Sequence, residues 1–573
     1  MTGQIGLAQG SVVPVTKTPA PRRRFTQSWA LPPRWLRFLL IAVLALGIFF
    51  RFVNLDRKVY WIDETYTSLR ISGYTEAELI QKVSKGLPIS VKELTKFQHI
   101  NSEKSVTGTV KGLAVEEPQL PPLYFVMVRF WVRWFGDSVA VARSLSAVIS
   151  LLALPCVYWL CLELFNSPLV GWVAVALIAV SPLQVIYAQE ARNYSLWVVM
   201  ILLSSASLLR AIRLKNWRNW AIYGATVAIG IYSHLLFGLV AIAHGIYAGA
   251  LEKFRCTKTV KAYLLASIAG ILTFTPWILA LVYNFTSASK RTGWQSARIR
   301  ESLLSLAANW TGNISREFVD FGLNASSDSR LLIAATPVIV LFFILSVYAS
   351  YYLWQHSWKQ SWLFIFTLVA IPALSLILPD LILGGHRSIL SRYMMPFHIG
   401  NMIAVAYLLA AKVNSGSSRL QKAWQLIVLS IISGGVISCT LNSEAETWWH
   451  QALSAQIPVA RIINKATRPL VLSELSGDNL GSCLSLTHRL APDVSFQFAV
   501  PSTVPQIPNG FSDVFLYAPS KEELRAALEK ERHYNLEPIY KDKSNNVWLW
   551  KIVEKSDINL RPKAVFAGSS LIG

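Results

Sequence analysis

The chain has 573 residues, of which 53% are hydrophobic and only 15% charged, with a mean hydropathy of +0.41. That is too apolar for a soluble enzyme, and the apolar residues recur in regular runs instead of one large core, so composition predicts a multi-span membrane protein. The formal charge of +22 is spread over short loops between the runs, where it orients helices against anionic lipid; with no basic recognition helix or stacking module legible, nucleic acid is excluded as a partner.

A basic tail, residues 1–35, carries Lys17, Arg22, Arg23, Arg24 and Arg34 ahead of the first apolar run, 36–53. That run passes directly into Asn54-Leu55-Asp56 without a small-residue cleavage site and reads as a retained anchor. Crossing a hydrocarbon core takes about 20 apolar residues. Runs of that kind lie near 36–53, 139–162, 168–187, 194–211, 219–233, 235–250, 262–284, 331–354, 362–379, 393–411 and 423–441, about eleven crossings. The stretch Leu120 to Phe135 is short and holds Arg129 and Arg133, so it is placed as a re-entrant or interfacial helix. With the basic tail inside, the segments Arg210 to Arg218, Lys253 to Lys258 and Arg419 to Lys422 also fall inside, whereas the basic loop Lys290 to Arg300 falls outside.

The expected organisation is therefore a membrane domain over 36–441, with external loops 54–138 and 285–330, followed by an external soluble domain over 442–573. In that last part short β-rich runs (469–473, 514–517, 546–553) flank a helix opened by Pro519-Ser520 and running to about Arg532, which suggests a small α/β layer. The fold class expected is an all-α polytopic membrane protein with a small α/β domain outside the cytoplasm. Three cysteines lie in apolar runs, Cys256 faces the cytoplasm and only Cys483 an oxidising compartment, so no internal disulfide is expected.

Three polar clusters fall on the same external side. Asp63 and Glu64 follow the first span, within Trp61-Ile-Asp-Glu-Thr-Tyr66; Glu190 and Arg192 stand at a helix junction; His386, Arg387, Arg392 and Tyr393 precede a late span. Each has a plainer reading. An acid pair after a span can be a solvated loop or a helix N-terminus, arginines near a span end can anchor at headgroups, and His234 between two short spans can be a turn residue satisfied by backbone. Coincidence of all three clusters on one face is harder to explain that way, and acids in one place with arginines in two others suit a reaction that needs a base and an anion clamp.

Taken together, the Asp63-Glu64 pair, Pro121-Pro122-Leu123-Tyr124, the run Ala142 to Ala147, Ser181-Pro182 with Gln189-Glu190-Ala191-Arg192, Tyr232-Ser233-His234, and Arg392-Tyr393 with Pro396 resemble one family. It is the polyprenyl-phosphate-sugar glycosyltransferases of the GT-C fold, which include protein O-mannosyltransferases and bacterial aminoarabinose transferases. The resemblance covers most of the membrane part and not the tail. It departs at Leu120, where many relatives carry His or Lys before Pro-Pro.

The resemblance implies that Asp63 is the catalytic base. The reaction expected is transfer of a sugar from a polyprenyl-phosphate donor to an acceptor hydroxyl, in a single displacement with inversion. Glu64 is expected to orient or bind beside Asp63, and Arg192, Arg387 and Arg392 to hold the donor phosphate, a task for which the planar guanidinium suits better than Lys. Glu190, Tyr66, Tyr124, His234, His386 and Tyr393 complete the expected substrate-binding set. Hard cations favour oxygen ligands, so a divalent ion bridging carboxylate and phosphate is compatible with this chemistry; no other cofactor is expected. The acceptor is left open as lipid, glycan or protein, and the setting expected is a bacterial plasma membrane with the site on its outer side. Two alternatives remain at this level: a transporter or flippase for lipid-linked sugars, although no paired halves are legible, and an oligosaccharide ligase using a diphosphate-linked donor.

Overall fold

The apolar runs form packed helices in the computed structural model, which describes residues 34–296, 301–324, 327–413, 417–449, 453–475, 479–500, 504–518, 522–531, 534–542 and 545–554. The basic residues up to Arg24, Arg298 and Arg300 of the basic loop, and Pro519-Ser520 lie outside the described residues. Among the described residues, six helices are long and apolar enough to cross a membrane: Val139–Phe165, Tyr194–Leu214, Ser329–His356, Lys359–Leu383, Met395–Val413 and Ser418–Glu444. The count rises to eight if each of two bent pairs is one span. Of the other expected runs, 219–233 and 235–250 fall on Trp217–Ser233 and Phe237–Leu251, which at 17 and 15 residues are shorter than those six, and 36–53 falls on Arg34–Phe52, whose 19 residues equal the length of Met395–Val413. The chain is a multi-pass membrane protein.

One of the bent pairs shapes the site. Pro168–Ala179 and Pro182–Ala188 meet at 60° because Pro182 lacks an N–H and biases Ser181 away from helical backbone. The carbonyls orphaned at the break need donors away from water. Arg51, fully enclosed in the first helix, donates to Ala179 O at 2.6 Å and Ile178 O at 3.1 Å, and also to Ser150 Oγ. Close approach is required there: a Cβ on Gly47 would lie 2.6 Å from Ala179 O, and one on Gly435 would lie 2.7 Å from Val180 O. The turn then delivers Gln189 to Arg192 to the face of the bundle where the first loop, His234 and Arg392 also emerge.

The stretch Leu120 to Phe135 yields the helix Leu123–Phe135, whose 13 residues span only ~20 Å. Arg129 is buried, its guanidinium bonding the carbonyls of Ile71 and Lys104, while Trp134 and Phe135 stay exposed.

The tail is an α/β layer built on a six-stranded sheet of order β1-β3-β2-β4-β6-β5. Its strands are β1 (Ile89–Ser90), β2 (Pro469–Glu474), β3 (Ser495–Ala499), β4 (Asp513–Tyr517), β5 (Tyr534–Lys541) and β6 (Val547–Glu554). β2 runs parallel to β3 and β4, and the remaining pairs are antiparallel. β1 belongs to the first loop and pairs Ile89 with Phe496. Leu79, Val83 and Leu94 of that loop also share a core with Leu484, Phe496 and Phe515 of the tail, so the two pieces fold as one body.

Candidate active site

The helix Ile62–Ser72 starts at Trp61 and ends at Gly73, whose φ of 91° takes the left-handed cap that glycine tolerates. Its first turn holds Asp63 and Glu64, where the helix dipole favours carboxylates. Successive residues lie about 100° apart around a helix, and these two acids point into different surroundings.

Glu64 is completely buried. Arg143 grips it with Nε to Oε1 at 2.8 Å and Nη2 to Oε2 at 2.6 Å, and Ala191 N donates to Oε1 at 2.8 Å. Arg143 also donates to the carbonyls of Leu55, Lys58 and Val59, tying down the segment that leads to Asp63. Glu64 was expected beside Asp63 at the reacting centre; the structure gives its carboxylate to this ion pair instead.

Asp63 has a 28% exposed side chain, and two arginines approach it. Arg392 Nη1 donates to Oδ2 at 3.2 Å, and Arg192 Nη2 lies 3.9 Å from the same oxygen. Arg192 Nη1 also donates to the Asp63 carbonyl and to Thr67 Oγ1, each at 3.2 Å. The Nε–H of Arg192 and that of Arg392 are buried and have no hydrogen-bond acceptor among the described residues. Oδ1 of Asp63 likewise makes no hydrogen bond among them. Two guanidinium groups converging on one partly exposed carboxylate form a positively charged cluster of the kind that binds anions.

Aromatic rings enclose Arg392: Cζ lies 5.5 Å from the Trp61 ring, 5.4 Å from Tyr393 and 5.9 Å from Trp294, within cation–π range. Gln295 Nε2 donates to the Tyr393 hydroxyl at 2.8 Å, so the loop carrying Trp294 closes over this side. His234 stacks on Trp197 with centroids 4.1 Å apart and 6.4 Å from Tyr393. Burial, then Arg192 and Arg392, push its imidazole down to about 3, so the ring is neutral; Nδ1 accepts from Leu236 N, which puts its proton on Nε2.

The other expected residues sit elsewhere. Arg387 donates to Asp380 Oδ1 at 2.9 Å and to the Gly384 carbonyl, and its neighbour His386 packs against Trp294; among the described residues neither bonds Asp63, Arg192 or Arg392. Tyr124 is wholly buried, its hydroxyl sharing a hydrogen bond with Ser146 Oγ, which in turn donates to the Arg192 carbonyl. It supports Arg192 from behind. The Tyr66 hydroxyl donates to Glu76 Oε1 at 3.2 Å beside Arg291. Glu190 is buried in the turn just before Arg192. Arg143, Thr67 and Asp380 had no role assigned from sequence. An arginine inside an apolar run was the available signal for Arg143, since such a charge needs a buried partner.

No group of three or more His, Cys, Asp or Glu side chains gathers as a metal site among the described residues. With Glu64 committed to Arg143 and guanidinium groups as the neighbours of Asp63, these residues do not fit a divalent ion held by protein ligands alone.

Residues 119–279 match the model of the family described as dolichyl-phosphate-mannose-protein mannosyltransferase. The resemblance to polyprenyl-phosphate-sugar glycosyltransferases of the GT-C fold stands on that match. Among solved structures, the chain is similar to ArnT from Cupriavidus metallidurans bound to undecaprenyl phosphate, with 11% identity, 90% of this chain and 97% of that chain covered, and a TM-score of 0.49. It is also similar to the archaeal oligosaccharyltransferase AglB from Archaeoglobus fulgidus in complex with an inhibitory peptide and a dolichol-phosphate, at 12% identity, 81% and 65% coverage and a TM-score of 0.44. No curated protein matches the chain.

Proposed function

We propose that this protein is a membrane glycosyltransferase that moves a sugar, hexosyl or pentosyl, from a polyprenyl-phosphate donor to an acceptor hydroxyl on the outer side of the membrane. The observation that carries this reading is the convergence of Arg192 and Arg392 on Asp63, whose side chain is 28% exposed. Counted over Arg192, Arg392 and Asp63 alone the charge is one positive, with Arg143 paired to Glu64 and Arg387 to Asp380. A phosphodiester carries one negative charge and matches it; a diphosphate carries one charge too many.

Asp63 then has two functions to divide between its oxygens. Oδ2 faces the arginines, and Oδ1 is left to accept the proton of the acceptor hydroxyl as that oxygen attacks the anomeric carbon. The bond from carbon to phosphate oxygen breaks on the opposite face, giving inversion, and the leaving phosphate keeps its electron pair against Arg192 and Arg392. A phosphate leaves without a general acid, so the second carboxylate is not called on.

The test is transfer by purified full-length protein in nanodiscs from labelled polyprenyl-phosphate sugars to an envelope lipid and glycan extract, with diphosphate-linked donors in parallel. Product with wild type that is lost in Asp63→Asn, while polyprenyl phosphate still binds, is the expected result. Transfer from diphosphate donors alone refutes the charge argument, and equal activity in Asp63→Asn removes Asp63 as the base.

A further inference from the structure

The tail helix Asn479–Thr487 packs directly on the helix that carries Asp63. Gly481 lies at the contact: a Cβ there would sit 2.8 Å from Ile62 Cγ2 and 3.0 Å from a ring carbon of Tyr66. Ile62 Cγ2 moves only with χ1, which a β-branched residue in a helix holds to one preferred rotamer, so an ordinary carbon contact would need a shift of at least ~0.7 Å. One helical turn on, the buried Ser485 hydroxyl reaches the Tyr60 carbonyl as well as Gln456 Oε1. His488 packs edge-on against the Tyr60 ring, with centroids 4.6 Å apart, and its Nε2 shares a 2.9 Å hydrogen bond with Gln98 Oε1. Gln98 Nε2 donates back to Leu484 O and Thr487 Oγ1. These contacts grip residues 60 to 62, and Asp63 is the next residue in the chain.

We infer that the tail is a positioning component of the transfer site, in which Gly481 and Ser485 set the angle at which Asp63 meets Arg192 and Arg392. The inference rests on the transfer reaction proposed above and assigns the tail a role in the step itself, separate from acceptor selection. Arg143 and Glu64 hold the Asp63 helix from the membrane side; the tail holds its first turn from the other. A carboxylate 3.2 Å from one guanidinium and 3.9 Å from another is sensitive to shifts of this size, since a misplacement of about 1 Å can cost of order 100-fold in rate.

The experiment uses the full-length protein in nanodiscs with Gly481→Ala and, separately, Ser485→Ala. Turnover and KM are measured with a labelled polyprenyl-phosphate sugar, and binding of polyprenyl phosphate alone is measured independently. Turnover is expected to fall by about 10- to 100-fold in Gly481→Ala with binding of polyprenyl phosphate unchanged. Adding Ile62→Ala to Gly481→Ala removes the colliding methyl and is expected to restore most of the lost turnover. A passive cap would lower thermal stability and leave turnover in the folded protein intact. Wild-type turnover in both single variants, a loss that Ile62→Ala does not recover, or joint loss of turnover and phosphate binding in both variants overturns the inference. Failure of the wild-type protein to transfer from any donor is a distinct result, which defeats the proposed function and this inference with it.

Discussion

Replacing Glu64 by Gln tests the division of labour between the two adjacent carboxylates. The Glu64 carboxylate is fully enclosed and accepts two hydrogen bonds from Arg143, one from Ala191 N and a longer one, 3.4 Å, from Trp61 N. A glutamine amide keeps the shape and one acceptor, but it turns an NH2 group toward a guanidinium that has only donors to offer. Arg143, with a side chain 2% exposed, then keeps a full charge against three carbonyls, those of Leu55, Lys58 and Val59. Removing one partner of a buried ion pair costs about 3–5 kcal/mol. The three remaining carbonyls place this case at the lower end, about 3 kcal/mol, or roughly two powers of ten in the folding equilibrium. Large membrane proteins unfold irreversibly, so the assay is the fraction of monodisperse protein surviving a temperature series in detergent. The Glu64→Gln midpoint is expected several degrees below wild type, with substantial turnover retained below that midpoint, whereas Asp63→Asn, at a side chain 28% exposed, abolishes turnover with a smaller fall in midpoint. A Glu64→Gln protein as heat-resistant as wild type yet inactive would refute the reasoning, because the buried carboxylate would then be acting in the chemistry.

Arg192→Ala and Arg392→Ala should each weaken polyprenyl phosphate binding by about 10- to 150-fold, the 1.5–3 kcal/mol of a hydrogen bond to a charged group. Arg387→Ala should instead lower thermal stability, because it strips the buried Asp380 of its ion pair, and leave phosphate binding near wild type; isothermal titration separates the two outcomes. Lys58 is buried, and burial, with Arg143 next in effect, pushes its amine down to about 7 from an ordinary 10.5. The unfolded chain therefore holds one more proton between about 7 and 10.5, so the contribution of this group to stability rises as pH rises through that window. Lys58→Met should flatten the dependence of thermal midpoint on pH there. Asp320 Oδ2 accepts from the indole nitrogens of Trp448 at 2.8 Å and Trp449 at 2.7 Å; Asp320→Ala should destabilise by about 1–3 kcal/mol per orphaned donor. The same heating series reads that loss, and donor KM should not change.

Much of this arrangement is legible along the chain, and what is missing from it has physical reasons. The parity of the apolar runs puts Asp63, Arg192, His234 and Arg392 on one face, because each helix end inherits its side from the number of helices before it. Convergence on a single carboxylate is a matter of packing between segments 129 and 329 residues from Asp63, which no local pattern encodes. The same limit explains Arg387: it stands five residues from Arg392 in an equally basic stretch, and only the return of Asp380 from the preceding helix separates their roles. The tail shows it in another form. β2, β4 and β6 announce themselves as β-rich runs, but β1 is two residues long and owes its pairing wholly to Phe496 and Ser495 across the sheet.

The choice between Asp63 and Glu64 is the sharpest case, since adjacent acids of nearly equal chemistry end in opposite conditions. In the proposed reaction the base must reach substrate and release its proton again, which a fully buried ion pair with an arginine forbids; a structural acid must be enclosed to hold the arginine that anchors its helix. Placing both in one first turn, about 100° apart, meets the two demands with a single element. Glu64 turns inward and fixes the helix to the bundle through Arg143 and Ala191, and Asp63 is thereby presented at the rim where the two arginines wait. On this account the acid pair is one device, in which the buried member gives the exposed member its position.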